Sequence, residues 1–216
     1  MGLFKSIQRK IITFQNLLSK DLKIKKKNII ITGANSGLGL ALVKALNLDN
    51  NILAFVNKDK SNIINIDGGE INIINWDFRD IESNKINTNI IVKFKPNIII
   101  NSAASFGSEN KKFSEIDIKK FYSIFNTNVF SALSIIQHSL KGNDLEQIIN
   151  ISSEMGSINL NKEGGYYYYR TSKTLLNSIT KNLSIDLKHK NIIVYCIHPG
   201  SIKTKLNSGG LISPEV

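Results

Sequence analysis

Asn28-Ile29-Ile30-Ile31-Thr32-Gly33-Ala34-Asn35-Ser36-Gly37-Leu38-Gly39 is the stretch that decides how this chain folds. Its first five residues are a β-branched run ending at a glycine, and beyond Gly39 the residues Leu40, Leu42, Val43 and Leu46 fall at helical spacing. A strand, a glycine turn and a helix therefore follow in that order. Backbone N–H groups at such a helix start suit an anion, and glycines let the backbone come close to a pyrophosphate. The glycines at 33, 37 and 39 are spaced G-x-x-x-G-x-G. The same string also fits a helix-opening turn that holds no ligand.

Outward from this turn the alternation repeats. Apolar runs predict strands at 28–32, 51–56, 71–76, 97–102, 147–152 and 191–197, and helical patterns cover 37–47, 81–93, 115–140 and 167–188. A chain of 216 residues, 42% hydrophobic and 21% charged, can bury a core. Strands alternating with crossover helices predict a three-layer α/β/α domain around a doubly wound parallel sheet of about six strands. No internal repeat or interdomain linker is visible, so residues 28–216 read as one domain preceded by an extension at 1–27.

That extension carries +7 of the chain's net charge of +11, with Asp21 as its single acid. The domain is close to neutral and shows no basic groove interleaved with stacking aromatics, which argues against nucleic-acid binding. Phe4, Ile7, Ile11, Phe14 and Leu18 form an apolar stripe flanked by Lys5, Arg9, Lys10 and Lys20. Such a segment docks on an anionic membrane surface or on protein, and both readings are open. Met1-Gly2-Leu3-Phe4-Lys5-Ser6 fits a myristoylation pattern, and the acid-free start also resembles a mitochondrial presequence. No apolar run reaches the roughly 20 residues needed to span a bilayer. The single cysteine, Cys196, lies in an apolar run and reads as a core residue in a reducing, cytoplasmic compartment. No metal-ligand set is assigned.

Two polar groupings stand out downstream. Lys173 follows Tyr169 by four residues, so on a helix the two share a face, and a nearby ammonium favours a phenolate. Among Tyr166 to Tyr169 only Tyr169 has lysine at that spacing; Tyr166 has Arg170 instead. The pair also fits an ordinary amphipathic face. Asn128 falls in the middle of an apolar face made by Phe121, Phe125, Ala132 and Ile136, where a buried amide needs hydrogen-bond partners whether its role is chemical or structural.

Taken in order, TGANSGLG at 32–39, Asp77 in Trp76-Asp77-Phe78, Asn101-Ser102-Ala103-Ala104, Asn128, Ser152-Ser153, Tyr169-Arg170-Thr171-Ser172-Lys173 and His198-Pro199-Gly200 with Thr204 resemble the short-chain dehydrogenase/reductase family. Gly164-Gly165, the YRTSK wording and the HPG turn are most similar to its sniffer-type carbonyl reductases and C-factor-like proteins. The resemblance implies a Rossmann-type fold and hydride transfer between a nicotinamide and a carbonyl or alcohol substrate. It implies Tyr169 as acid/base, Lys173 as the group that lowers its pKa and holds the ribose, Ser153 on the substrate oxygen, and Asn128 holding a water. Cofactor contacts fall on Gly33, Asn35, Ser36, Gly37, Leu38 and Gly39 at the pyrophosphate, and on Asn57 and Lys58 at the adenosine ribose. Asp77 and Phe78 would meet the adenine, Asn101 and Ala103 would line the cofactor, and Tyr169 and Lys173 would also touch it. Pro199, Gly200 and Thr204 complete the set, with Thr204 at the carboxamide. Val56 stands where an acid would select NAD, and Lys58 is close by, so NADP is favoured.

Ser102 and Ala104 depart from the family's NNAG. The chain carries 16 residues after Gly200 where family members continue with substrate-covering helices and a seventh strand. The domain is therefore expected to be C-terminally short, with the oligomeric state open. A catalytically inactive nucleotide-binding or signalling protein of the same fold is the alternative to an enzyme.

Overall fold

In the computed structural model, which describes residues 24–57, 61–64, 66–79, 89–107, 113–204 and 206–214, β1 (Asn28–Thr32) runs through the middle of a parallel sheet. On one side of it stand β2 (Asn51–Val56) and β3 (Ile71–Asn75). On the other stand β4 (Ile98–Asn101), β5 (Gln147–Ile151) and β6 (Ile193–Ile197), giving the order β3-β2-β1-β4-β5-β6. Strand order reverses between β1 and β4, which pair in parallel with Ile29 opposite Ile98. Their C-terminal ends open the crevice where doubly wound sheets bind ligands.

The connecting helices are α1 (Gly37–Leu46), the single turn α2 (Ser61–Ile64), α3 (Asn89–Phe94), α4 (Ile118–Phe125), α5 (Ser131–Ser139) and α6 (Tyr167–Asp186). Strand alternation explains the two hydrophobic layers. Ile29 and Ile31 point to the face covered by Leu38, Leu42 and Val43 of α1. Ile30 points to the other, with Ile135 and Ile136 of α5 and Trp76. Because both faces are covered, β1 is continuously apolar, and each buried Ile contributes on the order of 2 kcal/mol.

Two expectations are revised, and a third is only partly described. The helix expected over 115–140 is two helices, α4 and α5, joined by a π-helical turn at Asn126–Phe130. Thr127 and Ser131 hydroxyls donate to the Ser123 and Thr127 carbonyls, competing with the regular ladder there. The helix expected at 81–93 is described only as Asn89–Phe94; residues 80–88 lie outside the described residues. Cys196 is exposed rather than core, on β6, the outermost strand of the sheet among the described residues. Among the described residues no helix is long and apolar enough to cross a membrane.

Of the extension, residues 1–23 lie outside the described residues, and with them the apolar stripe. Ile24–Lys27 are fastened to the domain: Lys26 N–H donates to the Asp49 carbonyl at 2.8 Å, and Lys27 Nζ to Glu146 at 2.6 Å.

Candidate active site

The glycine turn joins β1 to α1 at the strand-order reversal, and it is built by close backbone contact. Gly33 has φ 65°, and a Cβ there would lie 2.9 Å from the Cα of Ala103. Gly37 has φ 52°, with Thr204 Cγ2 2.9 Å from where its Cβ would stand. At Gly39 a Cβ would fall 2.2 Å from the Gly33 carbonyl oxygen. Thr32 Oγ1 accepts from the Ser102 and Ala103 N–H groups at 3.0 and 2.9 Å, which locks the end of β1 to the loop after β4. Ser36 is the N-cap of α1 with extended backbone, and its hydroxyl makes no capping bond. Its first-turn N–H groups are thus free of a side-chain cap, a donor set suited to a phosphate.

Tyr169 and Lys173 enter on the first turns of α6, both buried. Lys173 Nζ donates to the Ile151 carbonyl at 2.7 Å and sits 5.6 Å from the centre of the Tyr169 ring. Burial lowers the Lys173 pKa to about 8. Burial also raises the Tyr169 phenol, and a hydrogen bond with Ser153 acts in the opposite direction by less. Lys173 is not among the causes of that shift, and its ammonium is bonded to the end of β5 rather than to the phenol. Ser153 opens a 3-10 turn, accepting from Met155 N–H at 3.2 Å. Ser152 is turned away, its hydroxyl donating to Asn177 Oδ1 at 2.5 Å.

Asn128 sits in the π-helical turn and is fully engaged. Its Oδ1 accepts from Ser105 N–H at 2.7 Å, and its Nδ2 donates to the Ser105 carbonyl and to Ser172 Oγ, each at 2.9 Å. Ser172 in turn donates to the Tyr169 carbonyl at 2.8 Å. One buried chain thus connects the loop after β4, the π-helical turn and α6. Both amide protons of Asn128 are spent in that chain, leaving its carbonyl side and its backbone for any water.

The remaining expected contacts divide. Thr204 lies over Gly37, and Gly200, with φ 85°, precedes it. Asn35 Nδ2 donates to the Asn57 carbonyl at 3.4 Å, so the glycine turn and the end of β2 are adjacent. Asp77 is held by Arg79 through Nε at 2.8 Å and Nη2 at 2.5 Å. The Phe78 ring is buried against Trp76 at 4.8 Å, which leaves only its backbone for a ligand. The Asn101 side chain donates to Asn150 Oδ1 at 2.8 Å inside the sheet, while its own Oδ1 is buried without a hydrogen bond. Leu38 is buried in the α1 face, and Pro199 is half-buried after β6. Lys58 lies outside the described residues.

Sequence reasoning missed Ser172, Ser105, Phe106 and Tyr166. Ser172 carried a signal, a hydroxyl one turn from Tyr169 on the buried side. Phe106 carried none, yet its ring lies 4.6 Å from that of Tyr169 and 5.3 Å from that of Tyr166.

A short chain dehydrogenase family profile matches residues 27–210. Among curated relatives, the C-signal of Myxococcus xanthus is 30% identical over 95 residues, and that match covers 43% of this chain and only 57% of the relative. The 7alpha-hydroxysteroid dehydrogenase of Escherichia coli is 26% identical over 207 residues, covering 92% of this chain and 79% of the relative. Among solved structures, the carbonyl reductase Sniffer of D. melanogaster superposes with a TM-score of 0.76 at 27% identity, over 87% of this chain and 86% of that one.

Proposed function

The chain belongs to the short-chain dehydrogenase family, and on that premise we propose that it is an NAD(P)-dependent oxidoreductase interconverting a carbonyl and an alcohol. The observation that carries the reading is the joint placing of Tyr169, hydrogen-bonded to Ser153, and buried Lys173 at the end of β5, across the sheet from the glycine turn. A proton donor, an oxygen-binding hydroxyl and a cation at one end of a parallel sheet are what carbonyl reduction requires of the protein.

The glycine turn suits a dinucleotide: Gly33, Gly37 and Gly39 let it close tightly on Ala103, Thr204 and its own backbone, and the first-turn N–H groups of α1 carry no side-chain cap. Gly33 to Gly39 would hold the pyrophosphate, Asn57 and Lys58 the adenosine ribose, Asp77 and Phe78 the adenine. Lys173 and Tyr169 would hold the nicotinamide ribose, and Pro199, Gly200 and Thr204 the carboxamide. Nicotinamide, when bound, supplies the hydride in reduction and accepts it in oxidation. In reduction Tyr169 gives its hydroxyl proton to the carbonyl oxygen as charge develops there, and Ser153 donates a hydrogen bond to the same oxygen. Lys173 stabilises the phenolate left behind, and Asn128 holds the surrounding segments in register.

NADP is the preferred cofactor in this reading. Val56 ends β2 where a carboxylate would repel a 2′-phosphate, and Lys58 follows two residues later. Fluorescence titration should give tighter binding of NADPH than NADH; the reverse order overturns that choice. For the reaction, purified protein with NADPH and a panel of ketones and aldehydes should show turnover that falls about 10²- to 10⁴-fold in Tyr169→Phe. Equal rates for wild type and Tyr169→Phe would remove Tyr169 from the chemistry and favour a nucleotide-binding protein without this activity.

A further inference from the structure

We propose that Phe106 and Tyr166 form the face that receives the organic part of the substrate, and that this part is a flat aromatic ring bearing the carbonyl; this rests on the reductase reading above. The Phe106 ring lies 4.6 Å from the Tyr169 ring at an interplanar angle of 31°, close to offset stacking. Tyr166 meets Phe106 edge-on at 5.3 Å and 69°. The Tyr169 hydroxyl is joined to Ser153, so an oxygen bound between those hydroxyls brings its substituent to the margin of this ring stack. Both Phe106 and Tyr166 are partly exposed, in contrast to buried Tyr169.

The pose of Phe106 is fixed from both sides. Its neighbour Ser105 is bracketed by the Asn128 amide at 2.7 and 2.9 Å. Its other neighbour, Gly107, has φ +95° in a position where a Cβ would stand 3.2 Å from Ile124 and Tyr168 side chains. Tyr166 is held at φ 48°, ψ 38°, after Gly164 and Gly165 at φ 69° and 65°. A left-handed conformation is unfavourable for a bulky residue and persists only where its surroundings impose it. Here the turn delivers the Tyr166 ring to Phe106 one residue before α6 begins.

Stacking distinguishes a flat ring from a saturated one of the same size. Acetophenone and cyclohexyl methyl ketone share a carbon skeleton, but the aryl ring also conjugates with the carbonyl, so stacking is read from how their ratio changes when Phe106 is replaced. With NADPH, the acetophenone-to-cyclohexyl ratio of kcat/KM should fall about tenfold from wild type to Phe106→Leu. Phe106→Tyr should retain the wild-type ratio. Should Phe106→Leu lose its fold by circular dichroism, Phe106→Met, which also lacks a π face, replaces it. An unchanged ratio in Phe106→Leu overturns the inference and leaves the reductase reading standing. If no ketone is turned over, the reductase reading fails, and saturation-transfer NMR decides the inference. Acetophenone contacts seen with wild type and NADPH but lost in Phe106→Leu uphold the aromatic site; no contacts, or equal contacts in both proteins, overturn it.

Discussion

Lys173 donates from Nζ to the carbonyl oxygen of Ile151 at 2.7 Å, so the cation of the site is bonded to the end of β5 while it lies over the Tyr169 ring, 5.6 Å from its centre. The bond satisfies one of three ammonium protons in a site removed from water. Its charge is consequently a cost to the folded state, and that cost depends on pH.

Stability should rise with pH between about 8 and 10. The folded-state pKa of Lys173 is lowered from 10.5 to about 8, so above the lower value the folded protein sheds a proton that the unfolded chain retains. The unfolded state then binds more protons, and stability increases with pH by up to about 3 kcal/mol. Tyr169, whose phenol is raised, acts with the opposite sign only above its ordinary value near 10. Urea unfolding at pH 7, 8, 9 and 10 should show a rise in wild type that Lys173→Met lacks; the same pH dependence in both proteins would contradict the buried charge.

Alanine at two glycines should separate folding from nucleotide binding. Gly39→Ala drives a Cβ into the Gly33 carbonyl, 2.2 Å away, and should cost about 3 kcal/mol by denaturant unfolding. Gly37→Ala meets a Thr204 methyl and a left-handed φ, a smaller penalty of about 1–2 kcal/mol. Its principal effect should be on NADPH affinity in a fluorescence titration. Equal stability losses for the two variants would refute the distinction.

Removing the Asn128 amide strands several buried groups at once. Asn128→Ala leaves the Ser105 N–H and carbonyl without these partners and takes an Nδ2 donor from Ser172. A loss of about 2–4 kcal/mol is expected, with Ser172→Ala costing about 1–3 kcal/mol. A double-mutant cycle between the two should give a non-zero coupling, since they share a bond. Additive losses would argue against the chain.

Cys196 should react with a thiol reagent in the native protein, giving one equivalent without denaturant, because it is exposed on β6, the outermost strand of the sheet among the described residues. Partial burial raises its pKa, so the rate should be slower than for free cysteine at pH 8 and recover at higher pH. Labelling only after unfolding would restore the core reading.

The sequence alone determined the strand, glycine turn and α1 at 28–46, the parallel order of apolar runs, and the pairing of Tyr169 with Lys173. Each depends on residues a few positions apart, where side-chain period and glycine's access to positive φ act locally. Sequence also required partners for Asn128 without identifying them; Ser105 and Ser172 stand 23 and 44 residues away. Tertiary structure alone decided that Cys196 is exposed, since strand pattern does not reveal which strand lies outermost among the described residues. It decided the π-helical turn, where Ser and Thr hydroxyls compete for carbonyls inside an otherwise helical pattern. It also decided the direction of the Tyr169 shift, because desolvation depends on everything packed around the ring, including Phe106, and no spacing in the chain encodes that burial.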